Sequence, residues 1–349
     1  MRRHHLHPRL HQLHKKKLFL TGMLTAALVL GLTGCGRKNS DVLTITNVSY
    51  DPTREFYEAY NPQFEQYYKE TYGKDVEVIQ SHGGSTSQAR SVVEGCNADV
   101  VTLALEHDIS LIEQTGLIEP GWIDEFSADS APYTSTIVFL VRKGNPKNIK
   151  DWDDLVKSDV EVITPDPKSS GGACWNFLAA LSYEREHETD EEARKEFLKK
   201  LYANVSVMDS GARGSTTTFV ENGKGDVLIA WENEALATMD SYPGKYELVT
   251  PSVSILAQPS VAIVDDNADA NGTQDVSHAY LEYLYSDNAQ RLAAKYGYRP
   301  SNEKILDEFS QRFDLNVKLY TIQDYGGWDA AYRNYFDDGA MFDEIYGYE

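Results

Sequence analysis

Strand-like runs alternate with helical segments through most of this chain, and this alternation limits its fold more than any other feature. The run Leu43–Thr46 alternates apolar and polar residues as a half-buried strand does, and Asp51 is expected to cap the helix that follows. Strand-like runs at 76–79 and 98–105 are separated by a helical segment at 87–94. This spacing predicts a mostly parallel sheet covered by helices on both faces, which is an α/β fold.

The same pattern restarts after Ala131-Pro132, so a second α/β unit is expected. Its strand-like runs are 136–141, 160–164, 205–208 and 227–231. Extended crossings near 132–136 and 249–256 would join the two units, leaving a cleft at the carboxyl ends of the strands. The predicted boundaries give lobe 1 residues 43–135 and 251–349 and lobe 2 residues 136–250, with the C-terminal helices free to cross to lobe 2.

The first forty residues differ from the rest in composition. A basic leader precedes the mostly apolar run from Leu18 to Leu32, which is the layout of a secretory signal and is short for a membrane span. The run ends in Leu32-Thr33-Gly34-Cys35, which resembles a bacterial lipobox. We therefore predict a lipoprotein signal peptide over 1–34, acylation of Cys35 and a lipidated tether over 35–42. The alternative is an ordinary signal peptide with a chance cysteine.

The mature chain is strongly acidic. Six of the 33 Lys and Arg residues lie in the leader and all 54 Asp and Glu residues follow it, so the mature part has a formal charge of −27. Such a surface argues against nucleic acid and acidic lipid as partners. A small anion remains possible as a ligand, because the field inside a site is local.

Cysteine and histidine indicate no resident metal. Beyond Cys35 only Cys96 and Cys174 remain, and their spacing leaves open whether they pair. The four histidines outside the leader are widely scattered, without the spacing of metal ligands. Neither a metal nor a cofactor is expected.

Three turns share one chemical design, since each follows a strand, is rich in glycine and serine, and opens a helix. They centre on Ser85, on Ser170-Gly171-Gly172 and on Gly211-Ala212-Arg213-Gly214. Helix starts carry unpaired N–H groups and the positive end of the dipole, so these turns indicate anion binding. Ordinary βα connections are the alternative for each turn taken alone.

Nucleotides are a poor match for these turns. Neither the G-x-x-x-x-G-K-[ST] motif nor G-x-G-x-x-G stands at any of them. Trp231 ends an apolar run, and its indole N–H is a neutral donor for a buried anion, although core packing is the alternative for a single Trp.

Long segments of the chain resemble the bacterial sulfate-binding proteins, the extracytoplasmic receptors of sulfate and thiosulfate ABC importers. The resemblance runs from about Leu43 to the C-terminus. The matching segments include Asn47-Val48-Ser49-Tyr50-Asp51-Pro52-Thr53-Arg54, Gln80-Ser81-His82-Gly83-Gly84-Ser85, Pro167-Lys168-Ser169-Ser170-Gly171-Gly172, Asp209-Ser210-Gly211-Ala212-Arg213-Gly214-Ser215-Thr216 and Trp231-Glu232-Asn233-Glu234-Ala235.

This resemblance implies a two-lobed fold of the type II periplasmic-binding-protein kind, with a desolvated oxyanion between the lobes. It implies neutral donors at these positions: the backbone N–H groups of Ser85, Gly171, Gly172 and Ala212, the hydroxyl and backbone of Ser170, and the indole of Trp231. Asp51 and Arg213 would lie close behind and order the donors.

The function implied is capture of sulfate outside the cytoplasmic membrane and delivery to the permease of an ABC importer, by a lipid-anchored monomer that performs no catalysis. Thiosulfate is the alternative ligand, with phosphate or molybdate less favoured. A donor-only site suits sulfate, because a phosphate proton buried there would lack an acceptor.

One residue departs from the family pattern. The family usually has Arg after Ser-Gly-Gly-Ala, and this chain has Cys174. Two other classes of function remain as alternatives: a cysteine enzyme with Cys174 as nucleophile and His82 as base, and a ferric-ion receptor that uses some of the 22 tyrosines.

Overall fold

The computed structural model describes residues 42–347, so the predicted signal peptide, Cys35 and nearly all of the tether lie outside the described residues. The strands in this part are β1 Leu43–Tyr50, β2 Val76–Gly83, β3 Val100–Leu103, β4 Tyr133–Thr134, β5 Ile137–Arg142, β6 Val162–Pro165, β7 Val205–Asp209, β8 Val227–Trp231, β9 Tyr246–Val249, β10 Val253–Ile255, β11 Ser260–Ile263, β12 Arg299–Pro300 and β13 Lys318–Tyr320.

The α-helices alternate with these strands and then dominate the C-terminal third. They are α1 Arg54–Tyr72, α2 Ser85–Val93, α3 Glu106–Glu113, α4 Ser127–Ser130, α5 Gly171–His187, α6 Glu191–Ala203, α7 Ala212–Val220, α8 Glu232–Ser241, α9 Asp265–Asn271, α10 Gln274–Tyr283, α11 Asp287–Lys295, α12 Glu303–Glu308, α13 Trp328–Ala331 and α14 Met341–Tyr346. Short 3₁₀ turns and a π-helical turn at Tyr332–Phe336 complete the described structure. The α4 turn is unusual because φ is positive at three of its residues, Ala128, Asp129 and Ser130.

The expected helix cap at Asp51 is wrong by one residue. Tyr50 occupies the N-cap position of a 3₁₀ turn, Asp51–Thr53, which precedes α1. Pro52 suits this turn because its fixed φ matches a first helical turn. The Thr53 hydroxyl donates to the Tyr50 carbonyl at 2.6 Å and closes the turn.

Two sheets organise the fold, and each contains one reversed strand. The four-stranded sheet has the order β11-β3-β1-β2, with β1 parallel to β2 and β3, and β11 antiparallel to β3. The five-stranded sheet has the order β7-β6-β8-β5-β9, in which β5 runs antiparallel to β8 and β9. Two of the three strand pairs are parallel in the first sheet, against two of four in the second, so the prediction of a mostly parallel sheet describes the first sheet better.

The reversed strands are those that arrive from the other sheet. A strand fed by a crossover helix pairs in parallel, whereas β5 and β11 enter along extended crossings and are free of that constraint. The crossings lie side by side, because Ser135 and Ala257 exchange two backbone hydrogen bonds of 2.9 Å each. The lobe boundaries at 135/136 and 250/251 stay a prediction.

Aromatic residues fill the cores on the helix-covered faces. Tyr57, Tyr60 and Phe64 of α1 pack with Tyr280 of α10 over the four-stranded sheet. Their hydroxyls bond inside the protein: Tyr60 donates to the Tyr280 carbonyl at 2.5 Å, and Tyr280 donates to Asn61 Oδ1 at 2.8 Å. These tyrosines therefore have a structural role, which weakens the ferric-ion alternative.

The C-terminal segment packs against the helices of the five-stranded sheet. Trp328 meets Trp175 edge to face with ring centroids 4.7 Å apart, and Phe342 belongs to the same core as Phe177. Within residues 42–347, no helix combines the length and the apolarity required to cross a membrane.

Candidate functional site

The turns after β2, β6 and β7 meet between the two sheets. A methyl group placed on Gly84 would lie 2.7 Å from the Ser169 carbonyl oxygen and 3.2 Å from that of Ser210. Backbone from one lobe is therefore in contact with backbone from two turns of the other. The structure brings together the three turns that the sequence singled out.

The first turn of α5 approaches the same place. A Cβ on Gly171 would lie 2.8 Å from Leu105 Cγ and 3.1 Å from Ser85 Cβ, and one on Gly172 would lie 3.1 Å from Trp231 Nε1. Any larger residue would hold the turns apart. These glycines let helix N–H groups reach one small volume from both lobes.

Ser85 opens α2 and is 2% exposed. Its hydroxyl is already engaged, since Oγ donates to Asp108 Oδ2 at 2.5 Å and accepts from the Ala104 N–H at 2.9 Å. Ser85 therefore offers its backbone N–H, as expected for the first residue of a helix.

Ser170 stands at the N-cap position of α5, and its side chain does not cap that helix. The Ser170 N–H donates to the Asp166 carbonyl at 2.9 Å. Both the hydroxyl and the backbone of Ser170 were expected to serve as donors. The backbone N–H is engaged locally, so the hydroxyl is the better candidate.

Trp231 ends β8 and is 1% exposed, with its ring tilted against Tyr50 at a centroid distance of 5.4 Å. The indole N–H donates to the Gly172 carbonyl at 3.2 Å, at the long end of the range for such bonds. Gly172, Ala212 and Trp231 line one small cavity. Trp231 is thus a packed core residue whose indole N–H borders this cavity, and to donate to an anion it would have to leave the Gly172 carbonyl.

Ala212 begins α7, and the two expected supporting residues differ in position. Asp51 Oδ2 would lie 3.0 Å from a Cβ on Gly211, directly against this turn, and Asp51 Oδ1 is 3.7 Å from Arg54. Arg213 instead pairs with Glu55 across the cleft. Burial raises the pKa of the Asp51 carboxyl, and the nearby Arg54 and Arg213 charges oppose that rise.

Asp108 is a residue that the sequence reading missed. It lies in the first turn of α3, is fully buried and accepts the Ser85 hydroxyl. Burial raises the pKa of its carboxyl to about 6. The signal available in the sequence was an acidic residue just beyond the apolar strand β3. Acidic residues are common at helix starts, however, because they interact favourably with the positive end of the helix dipole.

Trp175 was also missed, since it was read only as part of an apolar helix face. Its indole N–H donates to the Ala104 carbonyl at 2.9 Å, which joins α5 to the end of β3. Ala104 in turn donates to the Ser85 hydroxyl. The position of the Ser85 turn is therefore tied to the helix that carries Gly171 and Gly172.

Cys174 is a poor nucleophile in this setting. Its thiol is fully buried, donates to the Pro167 carbonyl at 3.4 Å and lies 3.9 Å from the Tyr332 hydroxyl. Burial raises the pKa of the thiol well above its usual value. Burial also lowers the pKa of His82 to about 4. A protonated thiol and a weak base do not support the cysteine-enzyme alternative.

The two cysteines of the described region, Cys96 and Cys174, are both free. Across residues 42–347, no group of three or more His, Cys, Asp or Glu residues is arranged to hold a metal ion.

The chain belongs to the bacterial extracellular solute-binding protein family, whose profile matches residues 45–299. Two similar proteins are the sulfate-binding protein of Escherichia coli K12 and the thiosulfate-binding protein of Pseudomonas aeruginosa PAO1. The first is 53% identical over 306 residues, covering 87% of this chain and 93% of that protein. The second is 43% identical over 334 residues, covering 95% and 99%.

Solved structures agree. The sulfate-binding protein SubI from Mycobacterium tuberculosis H37Rv is 34% identical, with a TM-score of 0.77, over 84% of this chain and 100% of that one. The periplasmic binding protein AfuA from Actinobacillus pleuropneumoniae shares the fold at 20% identity, with a TM-score of 0.63, over 83% and 96%. The predicted fold class and the family resemblance are confirmed.

Proposed function

We propose that this protein captures sulfate outside the cytoplasmic membrane and delivers it to the permease of an ABC importer. The observation that carries the proposal is the meeting of three glycine-rich helix starts from two lobes. The proposed donors are the N–H groups of Ser85, Gly171, Gly172 and Ala212, the Ser170 hydroxyl and the Trp231 indole. All of them are neutral.

This donor set favours a fully ionised anion. Sulfate at neutral pH accepts hydrogen bonds at every oxygen, and bonds to an ionised acceptor are roughly twice as strong as neutral ones. Phosphate keeps a proton near pH 7, and that proton would be buried without an acceptor at a cost of about 1–3 kcal/mol. Thiosulfate is the second candidate, because the Pseudomonas aeruginosa relative is a thiosulfate-binding protein at 43% identity.

The proposal extends to the way the protein is anchored. Cys35 is acylated after removal of 1–34, and the lipid holds the protein at the membrane. The protein is a monomer and performs no catalysis. The proposed hinge joins 43–135 and 251–349 to 136–250. Gel filtration of the mature chain and mass spectrometry of the protein isolated from membranes test the monomer and the lipid.

Calorimetric titration of the mature chain with sulfate, thiosulfate, phosphate and molybdate tests the ligand. Sulfate is expected to bind most tightly, followed by thiosulfate, with phosphate weaker by at least tenfold. Phosphate binding equal to sulfate binding would contradict the donor-only site.

A further inference from the structure

The carboxyl of Asp108 lacks a charged partner although it lies directly behind the Ser85 turn. It is 0% exposed, and Oδ2 accepts the Ser85 hydroxyl. Oδ1 is buried without a hydrogen bond of normal length in the described part of the chain, and the Thr86 hydroxyl lies close enough to lower the pKa of the carboxyl. No Lys, Arg or His of residues 42–347 lies within 4.0 Å of this carboxylate.

The elements packed around Asp108 supply little positive charge. From α2, Arg90 acts on it only at a distance and is exposed. From α5, the first turn presents the protonated thiol of Cys174. Tyr332 contributes a phenol whose pKa is raised well above its usual value by burial.

Two further groups border this region without reaching the carboxylate. His107, on the same helix as Asp108, stacks on Tyr332 with ring centroids 3.6 Å apart, and burial lowers its pKa, which favours the neutral ring. Lys168 is held by Asp343 at 2.8 Å and by the Phe336 carbonyl at 2.8 Å.

We propose that this receptor binds its anion together with one proton, and that Asp108 is the group that takes the proton up. The inference rests on the proposed function, because it requires the anion to sit at the Ser85 N–H. An ionised Asp108 behind the Ser85 turn and an anion at the Ser85 N–H would repel each other in this buried site, and protonating the carboxylate removes that repulsion. A guanidinium at position 174 would supply the compensation instead, but the chain has a neutral thiol there.

Linkage sets the expected pH dependence. A site that gains one proton on binding loses affinity tenfold for each pH unit over the range in which the free form is ionised and the bound form is protonated. Affinity should therefore be nearly constant at acid pH and fall as the pH rises above about 6, the value at which burial sets the pKa of Asp108 in the ligand-free protein.

Glu234 and Asp51 are the other carboxyls that could take up a proton near the site. Glu234 has a pKa raised to about 7 by burial and by the charge of Asp51, while Arg213 opposes the rise. Glu234 is partly exposed, follows Trp231 on α8 and lines the same small cavity as Gly172, Ala212 and Trp231. Glu234→Gln therefore tests the competing assignment of the proton, while Asp108→Asn removes the Asp108 charge and keeps an acceptor for the Ser85 hydroxyl.

The test is calorimetric titration of the mature chain with sulfate at pH 7.5, in buffers of different ionisation enthalpy, with affinities measured from pH 5 to 8.5. The wild type should take up about one proton and lose affinity about tenfold per pH unit above neutrality. Asp108→Asn should bind sulfate without proton uptake and with a flat pH profile, while Glu234→Gln should keep the proton uptake and the pH slope of the wild type.

If Asp108→Asn does not fold, titration of the wild type decides the question, because sulfate binding without proton uptake would overturn the inference. Uptake that persists in Asp108→Asn, or disappears in Glu234→Gln, would also overturn it. Failure of the wild type to bind sulfate at any pH would instead contradict the proposed function. Cys174→Arg should reduce the uptake if it folds, and an undiminished uptake would count against the inference.

Discussion

Two carboxylates lie behind the turns proposed to bind the anion, and their surroundings differ sharply. Asp51, against the Gly211-Ala212 turn, has Arg54 at 3.7 Å and the charge of Arg213 nearby. Asp108, behind the Ser85 turn, is fully buried and has no charged partner within 4.0 Å among the described residues; the Ser85 hydroxyl donates to it and the Thr86 hydroxyl lies nearby. The turns themselves offer the same backbone chemistry.

This difference shows that the backbone donors and the local field are set by different residues. Glycine and serine at the turns decide whether N–H groups can converge on an anion. Side chains around the turns, such as Asp51 with its partner Arg54 on one side and Asp108 beside the neutral Cys174 on the other, set how much charge the anion meets.

The largest expected effect contrasts two glycines at the meeting of the turns. Gly84→Ala should lower sulfate affinity at least 100-fold, about 2.7 kcal/mol, because the new methyl meets the Ser169 carbonyl at 2.7 Å and backbone cannot easily yield. Gly211→Ala should cost roughly tenfold or less, because the nearest atom to its methyl is Asp51 Oδ2 at 3.0 Å, and the Gly84 backbone lies at an ordinary contact distance of 3.9 Å. Equal losses in calorimetry would break the contrast.

The next effect concerns stability. Burial raises the pKa of Asp108 to about 6 in the folded protein. The carboxyl therefore stabilises the fold while it is protonated, and this stabilisation is lost as the pH rises from about 4 to 6. Relative to the wild type, Asp108→Asn should gain about 2 kcal/mol of unfolding free energy between pH 4.5 and pH 7. Urea unfolding at the two pH values measures this gain, and Asp51→Asn should show a smaller one.

Two serines provide a third contrast. Ser170→Ala should weaken sulfate binding by about 1–1.5 kcal/mol, roughly tenfold, because a hydroxyl donor to the anion is removed. Ser85→Ala should leave a backbone donor in place, so its main effect should be lower thermal stability, from loss of the bonds to Asp108 and Ala104. Titration and thermal unfolding of both variants distinguish the roles, and the reverse pattern would show that the hydroxyls had been assigned wrongly.

The smallest effect is expected at Arg213. Its side chain pairs with Glu55, and both side chains are nearly half exposed, so the pair contributes little. Arg213→Gln should change sulfate affinity by less than about threefold, a change that would shrink further in high salt. A loss of 100-fold would mean that Arg213 contacts the anion directly.

The sequence predicted much of the fold, because strand and helix periodicity is local and survives in short segments. Runs such as 136–141 and 227–231 correspond closely to β5 and β8. The reversal of β5 was missed, since pairing direction depends on where a strand arrives from. That information lies in the path between the sheets.

The meeting of the three turns was predicted because turns with free backbone N–H groups leave a signature in glycine and serine, whereas the binding residues themselves stay a prediction. Side chains that act on the site through their charge, without a hydrogen bond to the ligand, leave no such signature in the sequence. Asp108 looks like any acid at a helix start, and its isolation becomes visible only once α2, α3 and α5 are packed together. The engaged backbone of Ser170 likewise depends on a bond to Asp166 four residues earlier, inside an irregular turn.

The proposed site holds a tetrahedral dianion by neutral donors where the turns of the two lobes meet. A crystal structure of the mature chain with selenate would locate the anion, because selenate matches sulfate in charge and shape and selenium scatters anomalously. We expect one strong anomalous peak within hydrogen-bonding reach of the Gly172 and Ala212 N–H groups and the Trp231 indole. A peak bound to arginine or lysine side chains elsewhere, with that position empty, would contradict it.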